Sequence, residues 1–545
     1  MNRSKSNTSA HVRKKGHGDN HTQQNVAIKG SAPSSRHPHI KFFLYVALFI
    51  MLWIFASAIY GSVFYMSQQY SYFAWDSTLM EYLLCQDFGW FHAIGRMLLL
   101  TYHFPVLGGA VLALMLTLCA WLIEYTTGLN HRLRFIATLP CFAFLAYFVW
   151  LHYDINYQRE TSLLMSLPLA ALVVLSFIAA AKRLIFRNKK PPYTGKTDRI
   201  SAILNFGIVT AVFVSLTLFC IFARDDWRRT CDMQMQLEKS DWEGMIDKAT
   251  SCKRPSRSVA AFYAMALAQT NQLETRLFDI PMNFPPRKVH EINGILGDGV
   301  AIYTLDADFY AGIPNSSYHY TMEKMVLNGT NVFYLKRLAR AALVNGEKAL
   351  CWKYLYIIDR NPFEHEFVAQ YKELLNTDAS SLKQHPDFVH VYNKLPLTDT
   401  FDQRYRKPLF LGYNVELSEG RGQEALNASL MALLYSKDIS GFLLRARYLN
   451  TQMMPMYYQQ AIMVRSASVP QILNEFPTVN RQLGSAQLTS FIQAAKPWFK
   501  DKERGQKILC KNWQSYYPYY LYFQNLPTAG QKAEQAKEQK KGGVN

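Results

Sequence analysis

No two cysteines of this 545-residue chain are spaced as CxxC, so neither a zinc ribbon nor a thioredoxin-type redox pair is indicated. HExxH, GxSxG and P-loop signatures are absent as well, which removes the zincin, α/β-hydrolase and Walker-type readings. The net charge of +19 forms no basic stripe interleaved with aromatics, so nucleic acid is not an expected partner. Residues 1–223 hold 19 Lys and Arg against 8 Asp and Glu, and 15 of those 19 lie in 1–41 and 182–199, each block bordering an apolar run. No Asp, Glu, Lys or Arg stands in the middle of a long apolar run; Glu124 and Lys182 stand at run ends. Ionisable groups inside a bilayer mark ion pathways and proton relays, so their absence argues against an ion-coupled pump.

What is present is a sharp division. Residues 40–223 are dominated by apolar runs, whereas 224–545 read as an ordinary water-soluble sequence. A bilayer crossing needs roughly 20 mostly apolar residues. Five stretches qualify: Phe42–Met66, Pro105–Ile123, Phe135–His152, Leu163–Ala181 and Ile200–Phe222. The first starts about 40 residues in and is too long for a cleavable signal, so it is read as a retained anchor. Lys and Arg beside a span are retained on the cytoplasmic side. The tail before the first span, the loop with Arg132 and Arg134, and the loop 182–199 are basic, while the alternate loops hold only Arg96 and Arg159. That pattern predicts a multi-pass membrane protein with a cytoplasmic N-terminus and a C-terminal domain on the outer side.

The tail 1–39 carries five histidines without repeated ligand spacing, which fits a disordered basic leader better than a metal site. The loop 67–104 falls on the outer side. Leu79, Tyr82, Leu83 and Phe88 predict a helix lying in the interface, with Trp75, Trp90 and Phe91 at headgroup depth. Asp76, Glu81, Asp87 and His92 share that loop. Acidic residues in such a position resemble those of lipid-dependent integral-membrane glycosyltransferases, where the carboxylate serves as metal ligand or base. The competing reading is a solvated polar face.

From Arg224 onward the apolar spacing is helical. Asp225–Glu238 and Trp242–Ala249 flank a capping turn at Lys239–Asp241, and Ser258–Gln269 follows. The region 273–312 reads as loop-rich. Helical pattern resumes at Tyr318–Leu327, Val332–Val344, Lys348–Ile358 and Pro362–Leu375, then at Glu424–Tyr435, Ile439–Leu449 and Met456–Ser466. Helix pairs with short turns are the mark of a helical solenoid, in which each hairpin buries its apolar face on its neighbours. Stretches 237–249, 339–363 and 424–449 resemble tetratricopeptide (TPR-like) hairpins: Gly346 stands in a turn, Ala349 is small, and Pro362 follows the second helix. The expected fold is therefore all-α. A bundle of about five transmembrane helices is followed by a helical-repeat domain over 224–528 and a disordered tail over 529–545. The run YYPYYLYF (516–523) is too aromatic for a solvated loop and is expected to close the end of the array, with a binding surface as the alternative.

The stretches FAWDSTLMEYLLCQDFGWFHAIGRMLLLTYHFPVLGGAVLALML (73–116) and PNSSYHYTMEKMVLNGTNVFYLKRLARAALVNGE (314–347) resemble an uncharacterised family of inner-membrane proteins from Bacteroides-like bacteria. The resemblance covers nearly all of the chain past residue 40 and implies a multi-pass protein of the cell inner membrane with a periplasmic C-terminal domain, with no assigned activity.

In the soluble part His290, His319, His365, His385 and His390 are scattered. Glu364, His365 and Glu366 point apart on a helix, so an exposed helix start after Pro362 is expected rather than a metal site. Asp306, Asp308 and Glu323 near His319 are the best polar cluster, read as a solvated loop and helix edge. Cys231 and Cys252 fall at matching heights of an antiparallel pair, leaving a bridge and two separate buried thiols both open. No catalytic, cofactor or metal residue is assigned. Two functions follow: an interaction protein that holds a helical-repeat surface for a protein or peptide partner outside the membrane, or a glycosyltransferase-like or glycan-export component with loop 67–104 near the chemistry.

Overall fold

The computed structural model describes residues 39–151, 160–185, 199–284, 300–396, 422–449 and 453–526. The tail calls (1–39, apart from His39, and 529–545) and His290 lie outside them. Among the described residues all regular structure is helical.

Four helices are long and apolar enough to cross a membrane: Phe42–Ile59, Pro105–Thr127, Leu163–Ile185 and Ile200–Ala223. The first belongs to α1 (His39–Ile54) and the π-helical turn Phe55–Ile59. The others are α5 (Pro105–Thr127), α7 (Leu163–Ile185) and α8 (Arg199–Ala223). Between α5 and α7 runs α6 (Phe135–Leu151), apolar but 17 residues long. At 1.5 Å per residue that is about 26 Å, short of the ~30 Å hydrocarbon core, whereas α5 reaches about 34 Å. Phe42, Leu114, Phe177 and Ile203 are among many large apolar side chains left exposed around these helices. At one end of the bundle Arg134 pairs with Glu124 at 2.9 Å, Glu124 accepts from the Tyr45 hydroxyl, and Lys182 Nζ caps the carbonyls of Tyr125 and Thr126. Charged groups gather where a helix end meets water or headgroups, which places Glu124 and Lys182 at a boundary.

The first apolar run does not stay in the bundle to Met66. After Tyr60 the chain continues as α2 (Gly61–Gln69), in which seven of nine residues are buried. Its neighbours include α9 (Asp225–Glu238) of the second half, and Tyr60, Trp227 and Cys231 share one core. The side chains of Val63, Phe64 and Met66 are thus covered by protein rather than lipid, a distinction that hydropathy cannot make. The loop that follows folds as α3 (Ser77–Leu84) and α4 (Gly89–Leu99), with Trp75, Tyr82, Phe88 and Trp90 exposed.

Beyond α9 come α10 (Trp242–Thr250), α11 (Arg257–Gln269), α12 (Val300–Tyr310) and α13 (Pro314–Asn328). Next are α14 (Val332–Val344), α15 (Lys348–Asp359) and α16 (His365–Asn376). Last are α17 (Gln423–Tyr435), α18 (Ile439–Ala446), α19 (Met456–Ser466), α20 (Arg481–Ala495), α21 (Lys502–Trp513) and α22 (Tyr517–Phe523). The three stretches singled out by sequence each fold as a helical hairpin, α9–α10, α14–α15 and α17–α18. The α9–α10 turn is capped by Asp241, whose carboxylate accepts from Gly244 N at 3.0 Å, and Gly346 (φ 76°) makes the α14–α15 turn. The end of region 273–312, read as loop-rich, is helical: α12 occupies 300–310. In α22 Tyr517, Tyr519, Tyr520 and Phe523 are buried, with Tyr520 stacked on Phe278 at 4.4 Å and the Tyr519 hydroxyl bonded to Gln506 O, so this run packs a core.

Candidate functional site

The sequence VFYLKRLARAALV of α14 places three cations in an apolar helix. Lys336, Arg337 and Arg340 fall within about 100° of arc, because each residue advances that angle and four residues make little more than one turn. Asn331 starts the helix by accepting from Tyr334 N at 2.8 Å. All 13 residues of α14 are buried, the charged ones included. Buried charges persist only when paired, and each has a counter-charge from a different helix.

Arg337 donates to Asp306 of α12 at 2.7 Å and lies 3.0 Å from Glu238 at the end of α9. Its guanidinium also covers the Phe333 ring, 3.2 Å from the centroid. Arg340 donates to the hydroxyls of Tyr371 and Tyr310, both at 3.2 Å, and faces Glu238 at 3.8 Å. Lys336 pairs with Glu364 at 2.8 Å. Gln69, the last residue of α2, completes that pair: its carbonyl oxygen accepts from Lys336 and its amide donates to Glu364, both at 3.1 Å. Burial raises Glu238, but the pull of Arg337, Arg340 and Lys336 overcomes it and holds the carboxyl down to about 2. At Asp306 burial outweighs Arg337 and pushes the carboxyl up. Three cations face three carboxylates, so this network is a structural joint with no charge left over for chemistry.

The joint continues along the strand-like segment after α2. Val332 N donates to Ser71 O at 3.2 Å, Tyr70 stacks on Phe333 at 4.3 Å, and the Tyr72 hydroxyl donates to Ile357 O at 3.0 Å. The helical body is therefore fastened to the extension of α1 by a backbone bond, ring stacking and a buried ion pair. Sequence reasoning placed Asp306 and Asp308 on a solvated edge. Both are buried, and Asp308 accepts from Ser316 at 2.9 Å, because their partners come from other helices. Glu323 does stay exposed, 3.2 Å from His319. Likewise His365 and Glu366 are exposed as expected, whereas Glu364 is sealed against Lys336. The available signal was three basic residues inside an otherwise apolar helix.

The loop carboxylates do not converge. Asp76 caps α3 by accepting from Thr78 N at 2.9 Å, while Glu81 and Asp87 are exposed. His92 meets Ser162 at 2.9 Å, and Arg96 grips Glu160 in a two-pronged bond of 3.0 and 2.8 Å. That pair ties α4 to the start of α7 and overcomes burial to hold Glu160 below the usual carboxylate range. Among the described residues no group of three His, Cys, Asp or Glu is placed to hold a metal ion.

A second polar cluster lines a small cleft bounded by Asn271, Glu274, Lys394 and Glu424. Burial pushes Lys394 down to about 8, against the pull of Glu424 and Glu274. Glu424 is held by His390 at 2.9 Å and Asn393 at 2.7 Å. Burial raises Glu274. The cleft's volume, about 20 Å³, leaves room for little more than one water molecule and falls far below the ~300–1,000 Å³ of small-molecule pockets.

Comparison with known proteins brings no match to a curated protein and none to a solved structure. Two overlapping stretches, residues 36–188 and 159–524, do match one family, and together they take in the bundle, the joint and the helical body. The chain belongs to the DUF6057 family, a family of unknown function.

Proposed function

We propose that this chain is a membrane-anchored interaction protein that presents a TPR-like α-solenoid to a protein or peptide partner on the periplasmic face of the inner membrane. The observation that carries the reading is the joint at Gln69, Lys336 and Glu364. A buried polar joint gives orientation more than stability, and orientation is what a presenting scaffold needs. The hairpins α9–α10, α14–α15 and α17–α18 support the repeat. Because α14 is covered on every side, the partner surface lies on the outside of the array. There Leu444, Tyr448 and Met453 are exposed close together in sequence. The basic blocks 1–41 and 182–199 support the orientation, with α6 as the fifth crossing.

The alternative, a glycosyltransferase-like or glycan-export component, needs a carboxylate of loop 67–104 at the chemistry. Asp76 serves as a helix cap, and Glu81 and Asp87 are exposed, which weakens it. Two experiments decide. Alkaline phosphatase fused after residue 230 is expected to be active and after 190 inactive; the reverse pattern overturns the orientation. In a deletion strain, full-length chains with Asp76→Asn, Glu81→Gln or Asp87→Asn are expected to restore the phenotype, and a chain cut after Phe222 is not. A ~10²–10⁴-fold loss of a measured activity in one of those carboxylate variants would favour the enzyme.

A further inference from the structure

We propose that the helical body touches the bilayer directly, through Phe363, a residue seated at headgroup depth beside the point where α5 enters the membrane. This rests on reading α5 as a membrane crossing. Phe363 forms the turn between α15 and α16 and holds φ at 73°, a left-handed conformation that bulky L-residues rarely adopt. A turn after Pro362 would ordinarily take Gly or Asn there, so the ring is kept against a backbone cost. Its contacts say where it points. The ring stacks on His103 at 5.1 Å and meets Phe104 edge-on at 5.8 Å. Phe104 is the N-cap of α5, so both neighbours stand at the rim of the crossing.

The headgroup layer on each side of the hydrocarbon is about 5–8 Å thick. A ring less than 6 Å from Phe104 therefore lies within that layer unless α5 does not cross at all. Phe363 is 46% exposed and Phe104 53%, so neither is consumed by packing against protein. Arg360 and Tyr356, at the end of α15 just before this turn, are exposed as well. Arg360 donates to the Tyr356 hydroxyl at 3.0 Å and covers that ring at 4.9 Å. An aromatic wedge flanked by a snorkelling arginine fits the boundary between acyl chains and anionic headgroups. Continuity with the lipid-facing surface of α5 selects the bilayer over a second protein as the occupant.

The test uses the full chain in nanodiscs of phosphatidylethanolamine and phosphatidylglycerol, with the photoreactive p-benzoylphenylalanine placed at position 363, 114 or 448. Leu114 lies mid-way along α5, and Tyr448 is exposed on the helical body after α18. After illumination, phospholipid adducts are expected at 363 and 114 and none at 448, read by mass spectrometry of the digested chain. Lipid at 114 without lipid at 363 overturns the proposal, as does a 363 adduct to a second copy of the chain or equal lipid yield at 448. No lipid at 114 refutes the membrane reading of α5 and the proposal with it. A second variant, Phe363→Asn, retains a residue suited to the left-handed turn. In nanodiscs its amides in 360–364 are expected to exchange faster than those of the parent chain, while α14 exchanges as before. Unchanged protection at 360–364 overturns the proposal.

Discussion

Glu364→Gln removes one charge from a pair almost sealed from water, at the junction of bundle and helical body. The Lys336 and Glu364 side chains are 8% and 3% exposed and lie 2.8 Å apart. Lys336 also sits 5.2 Å from the Phe367 ring centroid, a second favourable contact that survives the substitution. Breaking a buried pair costs about 3–5 kcal/mol, because the remaining charge has no counter-charge and little water. Glutamine can still accept a hydrogen bond from the ammonium, which puts the expected cost near the lower end, about 3 kcal/mol. For a body of this size, each kcal/mol shifts the melting temperature by roughly 2–4 °C, so the expected drop is roughly 6–12 °C. The assay is thermal unfolding of the full chain in nanodiscs, followed by tryptophan fluorescence. The double variant Lys336→Met with Glu364→Leu removes both charges and leaves only Gln69 short of partners. It is expected to melt above either single variant, since replacing a buried pair by apolar groups is often neutral. A double variant that loses as much as the two singles added together would show that the pair is not coupled and refute the reasoning.

Acid should loosen the same joint. Glu238 stays ionised in the folded chain down to about 2 but takes up a proton near its ordinary 4.5 once unfolded. Its stabilisation, about 3 kcal/mol, is therefore present above pH 4.5 and drains away as pH falls toward 2. Glu238→Gln should flatten that limb of the unfolding profile, and an unchanged acid midpoint would count against the pairing. Gly312 holds φ at 83°, and a Cβ there would stand 2.7 Å from the backbone of Lys394. Gly312→Ala is expected to cost at least about 1–2 kcal/mol from the left-handed backbone alone, read as a lower melting temperature; an unchanged value would mean the turn is free to open. Cys231 and Cys252 are both buried and free, and burial pushes the Cys231 thiol well above its usual range. Both should resist alkylation in the native chain and both react after denaturation without reductant; a pair that reacts only after reduction would reveal a bridge.

The sequence by itself determined the features that depend on one segment and its solvent. The positions of four long apolar helices followed from length and hydropathy, because roughly 20 apolar residues match the hydrocarbon thickness wherever they occur. Helices such as Val332–Val344 and Met456–Ser466 followed from apolar spacing, and the turn at Lys239–Asp241 from its capping residue. Tertiary structure decided everything that needs a second segment. The first apolar run leaves the bundle at Ile59 rather than Met66, because Val63 and Phe64 are covered by protein, and hydropathy is the same for either cover. Asp306 and Asp308 look like a solvated edge until α14 supplies a cation to Asp306 from 31 residues away and Ser316 of α13 donates to Asp308. Gln69 carries no signal in its own neighbourhood, yet it closes an ion pair whose members lie 267 and 295 residues further on. Period and composition report the environment a residue prefers. They do not report which partner provides it, and here the partners are what join the membrane bundle to the helical body.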